Sequence, residues 1–245
     1  MSVLFTLGLM PKWAVVICMI FILLALVFGC RDLLPKEEFV LSDAPVEKPR
    51  KNKLYIPPMV IVVGLLCFIM YASEGAVMGW SAIFVSQERG VDMSMAGFFY
   101  TAFAVSMTFM RLCGDKTVNR LGQRFVVAGG ALLIAIGFMV VVLVDSSVAA
   151  VAGFVIVGCG AANVVPQLVS FAAHIKGMAV HNIISFINAL GYSGILLGPV
   201  LIGFVGKHYG LHISFIGIAV FVLIVAVVSS IILKSKRTIS QTDIS

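Results

Sequence analysis

This 245-residue sequence predicts an all-α polytopic membrane protein with seven transmembrane helices, one helix followed by a six-helix half bundle of two inverted three-helix repeats. Three observations carry that prediction. Hydrophobic residues make up 61% of the chain and charged residues 11%, about half the charged share of an average soluble domain. Mean hydropathy is +1.12. Seven continuous apolar runs are each long enough to cross a hydrocarbon core ~30 Å thick. Continuous runs exclude a membrane β-barrel, whose strands are short and alternate in polarity.

The runs are A (Trp13–Cys30), B (Ile56–Val85), C (Met95–Cys113), D (Phe125–Val144), E (Val148–Val169), F (Ile183–Val205) and G (His212–Leu233). Residues Met1 to Met10 are also apolar, but Pro11 and Lys12 cut them from A. No basic stretch precedes them and no small-residue cleavage site follows, so no signal peptide is expected. Between A and B, Arg31–Lys53 is charged, holds three prolines and keeps no apolar period, the pattern of a flexible connector.

Lysine and arginine set the orientation. Fourteen of them fall in the A–B linker, the C–D and E–F loops and the tail, against Lys12, Arg89 and Lys207 on the opposite side. Positive charge stays on the cytoplasmic side, so the linker, both loops and the C-terminus are expected there, in a protein of the cell's inner membrane. The net charge of +6 is thus a topology signal, with lipid as partner and no nucleic acid.

Five cysteines (Cys18, Cys30, Cys67, Cys113, Cys159) lie in or at the ends of apolar runs without a C-x-x-C pair, as small buried side chains do. His208 and His212 are four apart, but Gly210 separates them and no carboxylate is expected near them. No metal site and no cofactor are expected, nor an enzyme: no metal-ligand spacing, G-x-S-x-G or paired intramembrane carboxylates occur.

Run B is the exceptional one. Its 30 residues would span roughly 45 Å as helix, so it must tilt or break near Ser73, Gly75 and Gly79. Deep inside it lies Glu74, and a carboxylate at that depth costs on the order of 2–3 kcal/mol. Cys67, Tyr71, Glu74, Met78 and Ser81 share its helical face. In E, Asn163, Gln167, Ser170 and His174 do likewise beside Pro166, and F carries Ser185, Asn188 and Tyr192. C is weaker, with Tyr100, Thr101 and Thr108, whereas A, D and G are nearly bare of polar groups. Lipid cannot satisfy such stripes, so they face a cavity or another helix. Glu74 is then a transport or proton-coupling acid, or a structural acid bonded to a neighbouring helix. Asn163 and Gln167 line a cavity or glue helices together. Gly194 and Gly198 form a G-x-x-x-G packing face, Pro199 shapes its helix, and Trp80 and Tyr100 serve as interface anchors.

After A, every third helix is a plain wall: B and C polar then D apolar, E and F polar then G apolar. B starts from the cytoplasm and E from the outside, so the triplets are opposite in sense, as in many transporters. Helix A resembles the last member of an earlier triplet. The expected division is residues 1–30, the last helix of an incomplete N-terminal bundle; 31–55, a cytoplasmic linker; 56–144 and 145–233, two inverted repeats; and 234–245, a cytoplasmic tail.

These residues resemble the major facilitator superfamily, specifically the C-terminal half of a twelve-helix member, with A matching the sixth helix and B to G the seventh to twelfth. The segment Arg111-Leu-Cys-Gly114-Asp115-Lys-Thr-Val-Asn119-Arg120-Leu-Gly122-Gln-Arg124 is similar to the superfamily's cytoplasmic loop motif. The motif's acidic position before Arg-x-Gly is Asn119 here, with Asp115 one turn earlier. Helix F from Asn188 to Gly203, helix E around Gly158 to Gln167, and Glu74-Gly75-Ala76 before Trp80 resemble sugar-permease-like and fucose-permease-like bacterial members.

The resemblance implies a secondary active transporter moving a small polar, sugar-like solute by alternating access, with proton symport. It implies a solute and proton path through Glu74, Tyr71, Ser81, Asn163, Gln167 and Asn188. It also implies a gating loop of Arg111, Gly114, Asp115, Arg120, Gly122 and Arg124, whose basic residues otherwise serve topology alone. With one wall of the cavity present, the expectation is that transport needs the missing N-terminal helical bundle. The competing expectation is a transport-inactive fragment or a structural membrane subunit.

Overall fold

The computed structural model describes residues 56–242, side chains through 234, and before them only Val16, Met19, Ile20, Leu23 and Leu24. The chain falls into two units, Met1–Lys53 and Leu54–Ser245. In the first, those five residues are helical and exposed at i, i+3, i+4 spacing; the rest of run A and the linker lie outside the described residues.

In the second unit the described helices are α1 (Pro58–Arg89), α2 (Met93–Leu112), α3 (Gly114–Leu121), α4 (Gln123–Leu143), α5 (Ser147–Ala161), α6 (Val164–Ala172), α7 (Val180–Tyr209) and α8 (Leu211–Thr242). Six spans among the described residues are long and apolar enough to cross a membrane, with α5 and α6 counting as one. They correspond to runs B to G. The all-helical, multi-pass class therefore holds.

Four local details go beyond the sequence reading. Run B, expected to tilt or break, does not break: α1 is one helix of 32 residues, roughly 48 Å long, so tilt or projection must absorb the excess. Ser73 turns its hydroxyl back to the Met70 carbonyl at 2.7 Å, and Gly75 and Gly79 lie against Pro199 of α7 rather than opening a kink. Run E does break, at Ala162–Asn163. The C–D loop contains the helix α3, bounded by Gly122 at φ 82°, a backbone angle that favours glycine. Finally, α8 continues through the expected tail as far as Thr242.

Packing is closest between α1 and α7, α4 and α5, α4 and α8, and α2 and α5. Let the first triplet be α1, α2 and α4, and the second α5–α6, α7 and α8. The first member of each then packs on the middle member of the other, and the two third members pack together. Exchanging the triplets leaves those three contacts unchanged, whereas the close α4–α5 contact becomes the looser α1–α8 one.

Small residues make the contacts close. Along α7, Gly191, Gly194 and Gly198 face Tyr71, Phe68 and Ala72 of α1 with no room for a further methyl. Between α4 and α5, Gly137 faces Gly153, and Gly130 faces Gly160. Lipid tails are as apolar as leucine, so backbone approach and interdigitation replace the hydrophobic drive between helices. Trp80 belongs to the α1–α7 seam. Its indole N–H donates to the Pro199 carbonyl at 2.9 Å and its ring covers Gly203, which makes it an interhelix tie where an interface anchor was expected. Phe215 of α8 packs at a tilt against Phe84 of α1 and Phe138 of α4, ring centroids 4.8 Å and 5.5 Å apart, joining three helices at the core.

At the opposite end from the loop helix, Arg89 closes α1 onto α4. Its guanidinium, whose side chain is 10% exposed, donates to the carbonyls of Val141 at 3.0 Å, Val142 at 3.3 Å and Val144 at 3.0 Å. It also pairs with Asp145 at 2.8 Å. The last carbonyls of a helix have no intrahelical donor, and Arg89 supplies one.

Candidate functional site

Glu74 sits at the middle of α1, half-buried, with Oε1 enclosed and without a hydrogen-bond partner. A polar atom buried in this way is costly unless a proton or a partner satisfies it, which makes Glu74 the candidate centre of the site. One turn earlier Tyr71 stacks on Tyr192 of α7, ring centroids 5.0 Å apart and planes 29° from parallel. Gly191 makes this stack possible, since a side chain there would strike the Tyr71 ring. Tyr192 remains 54% exposed.

Arg111, near the end of α2, is exposed, and its guanidinium is bound to the break in run E. Pro166 has no N–H, so the Ala162 carbonyl four residues back loses its helical donor and the helix breaks there. Arg111 Nε donates to that carbonyl at 3.2 Å. In return Asn163 Nδ2 donates at 3.0 Å to the Met110 carbonyl, one of the last in α2. Two helix ends thus satisfy each other across the α2 to α5–α6 contact, and a bond to a charged donor is worth about 1.5–3 kcal/mol. Gly114 is buried directly beneath Asn163, where any side chain would collide with the carboxamide.

The expected path residues divide. Tyr71 and Glu74 come together, and Asn188 lies half-buried one turn before Tyr192. Ser81 is 1% exposed, its hydroxyl buried without a partner inside the bundle, whereas Met78 between it and Glu74 is 57% exposed. Asn163 is spent on the α2 carbonyl. Gln167 is half-buried, and its main-chain carbonyl, not its carboxamide, accepts from Gln123 Nε2 at 2.7 Å, tying α6 to the start of α4.

The expected gating loop also divides. Arg111 and Gly114 join the clasp, while Asp115, Arg120 and Arg124 are exposed on or beside α3. Among the described residues, no ion pair links Asp115 to Arg120 or Arg124. Sequence reasoning placed Tyr192 in a stripe without assigning it to the path, although its alignment with Asn188 was the available signal. It also held that no carboxylate lies near the histidines, yet Glu88 Oε1 of α1 is 3.7 Å from His212 Nδ1. No group of three metal-ligating side chains occurs among the described residues.

A separate cavity of about 370 Å³ opens between α1, α7 and α8, walled by Phe68, Ile69, Leu201, Ile218 and Phe221. Its hydroxyls, Ser73 and Ser214, are bonded to the backbone carbonyls of Met70 and Ile202, so it offers a polar solute nothing to recognise.

A model of the Major Facilitator Superfamily matches residues 2–183. The chain belongs to that family. An uncharacterized MFS-type transporter of Yersinia pestis is 37% identical over 227 residues, 92% of this chain and 57% of the relative. The membrane protein MosC of Rhizobium meliloti is 29% identical over 170 residues, 69% of this chain and 42% of MosC. An uncharacterized transporter of Sinorhizobium fredii is 29% identical over 173 residues, 71% of this chain and 46% of that protein. This superfamily member thus spans about half the length of the curated relatives it matches. A crystal structure of the peptide transporter POT in complex with sulfate shares the fold, with a TM-score of 0.64 over 74% of this chain and 39% of that one, at 19% identity.

Proposed function

We propose that this chain is the C-terminal portion of a secondary active transporter of the inner membrane. It moves a small polar, sugar-like solute by alternating access, with proton coupling. The observation that carries the reading is the enclosed, unpartnered carboxyl oxygen of Glu74 at mid-span, beside the Tyr71–Tyr192 stack. A carboxyl held away from water is more easily carried through the membrane neutral, which links its proton to a solute that binds beside it. Tyrosine hydroxyls and the Asn188 carboxamide supply the donors and acceptors that a hydroxylated solute needs. The apolar faces of α2, α7 and α8 suit lipid or a second bundle, and the polar face around Glu74 suits only water, solute or a facing bundle.

The path centres on Glu74, Tyr71, Tyr192 and Asn188. The Asn163 side chain holds the frame, and Asp115, Arg120 and Arg124 form the cytoplasmic face. Charge distribution supports a cytoplasmic C-terminus. Transport requires a facing bundle to complete the cavity, so proteoliposomes holding only these 245 residues should take up no solute. The coupling test is Glu74→Gln in the complete transporter. Uptake should persist down a solute gradient and lose its response to an imposed pH gradient. Fully proton-driven uptake by that variant would remove Glu74 from the mechanism.

A further inference from the structure

We propose that the cavity between α1, α7 and α8 holds one acyl chain of a bilayer phospholipid, on the side of α1 turned away from Glu74.

The cavity measures about 370 Å³, more than twice the ~150 Å³ at which a cavity lined by leucine, isoleucine and phenylalanine stays dry and takes up benzene. Small residues leave the space. Gly198 and Ala72 meet at its wall with no room for a methyl between them, whereas a Cβ on Gly217 would meet nothing within 4 Å. The hydroxyls on the wall, Ser73 and Ser214, are committed to backbone carbonyls. Water finds no partner there, and a void would forfeit the dispersion contacts of every side chain around it.

Three features identify the occupant as a lipid tail. The cavity is continuous with the surface that meets the bilayer: Leu201 of α7 and Ile213 and Phe221 of α8 wall it and also stand exposed on the outside of the bundle. Its depth is that of one leaflet. The lining runs from Val205 to Gly198 along α7 and from Ile213 to Phe221 along α8. It thus starts within about one turn of the connection between the two helices and reaches the middle of both spans. That is roughly 10–12 Å of helix, against ~15 Å for half of a hydrocarbon core. The third feature is the side it occupies. Phe68, Ile69, Ala72 and Ser73 border the cavity, and the helical period carries Tyr71, Glu74 and Met78 round to the other side of α1. A bundle that faces Glu74 therefore approaches from that other side and leaves the cavity to lipid.

The bound chain fills a gap in the packing. α8 lies less closely on α1 and α7 than those two lie on each other, and a tail seated between the three braces α8 against the Ala72–Gly198 seam. Tails are as apolar as leucine, so shape and contact select the chain.

The test uses the full chain in dioleoylphosphatidylcholine vesicles holding a trace of phosphatidylcholine with a photoreactive diazirine at a set depth in one acyl chain. Peptide mass spectrometry reads the labelled residues. A diazirine near the ester should label Val205 and Ile213, and one near the methyl end should label Phe68, Ile69 and Phe221. Each should be labelled more strongly than Leu132 and Ile136, which are exposed near the middle of α4. Gly217→Leu fills the cavity and should bring its labels down to the level of Leu132 and Ile136, with those two unchanged. If that variant does not fold, the depth order in the wild type decides alone. Cavity residues labelled no more than Leu132 and Ile136, labels indifferent to the depth of the diazirine, or undiminished labelling in a folded Gly217→Leu overturn the inference. A cavity covered by a facing bundle or by a second copy of this chain gives the first of these results.

Discussion

Gly198→Ala tests whether backbone contact between α1 and α7 is what holds the bundle together. The added methyl would lie 2.9 Å from both the Cα and the carbonyl oxygen of Ala72 and 3.1 Å from its Cβ. Two of these three atoms are backbone and cannot rotate aside, so the helices must part by about half an ångström or more to reach ordinary contact. Overpacking of this kind costs about 1–3 kcal/mol. Against it stands the gain from replacing glycine by alanine in a helix, about 1 kcal/mol. The net expectation is a loss of ~0–2 kcal/mol. Gly217, in α8, is the control, because a Cβ there meets nothing within 4 Å. Gly217→Ala should keep the helical gain alone, which puts the two variants about 1–3 kcal/mol apart. The assay is equilibrium unfolding in mixed micelles followed by Trp80 emission. With Trp13→Phe, Trp80 is the remaining tryptophan of the two in the chain, and it reports on this seam through its bond to Pro199. Equal midpoints for the two alanine variants, or an unshifted Trp80 spectrum in Gly198→Ala, would refute the seam as the source of cohesion.

Arg89→Ala should cost about 2–3 kcal/mol by orphaning the Val141 and Val142 carbonyls at the end of α4, whereas Asp145→Asn should cost less than about 1 kcal/mol. The reason is that the Asp145 side chain is 87% exposed and the Arg89 side chain only 10%; thermal unfolding in detergent separates them. Asp92 caps α2 by accepting from the Ser94 N–H at 2.8 Å, and that bond holds its carboxyl below the usual range. Its contribution is therefore complete above the unfolded carboxylate's range and is lost as pH falls through the lower folded value. Intrinsic-rate-corrected exchange at residues 94–96 should rise in acid in the wild type and stay level in Asp92→Asn. Reporter fusions after Lys234 should read cytoplasmic and fusions after Val144 external; the reverse would overturn the orientation drawn from the lysines and arginines.

The six described spans were legible because lipid imposes a single rule: every backbone group must be satisfied within the segment. Their ends fell within a few residues of the apolar runs for that reason. The glycines of α7 were legible too, since Gly194 and Gly198 four apart leave a groove on one side of a helix wherever it packs. The loop helix α3 was missed because it is short and polar. Its signature is an acidic first turn at Asp115 and a basic last turn at Arg120 between two glycines, which says nothing about hydropathy. Pro166 was noticed, but the outcome of a proline in a span depends on who takes the freed carbonyl. That partner, Arg111, lies 51 residues away in the chain.

The sequence by itself determined that this is a multi-pass helical membrane protein, which residues are too polar to meet lipid, and which helices are plain walls. Those are properties of single helices in a solvent without hydrogen bonds. Only the tertiary structure decided that Trp80 ties α1 to α7, that Tyr71 meets Tyr192, and that Asn163 and Arg111 are exchanged between two helix ends. Each depends on what stands across an interface, and the spacing of residues along one helix carries no information about the helix that faces it.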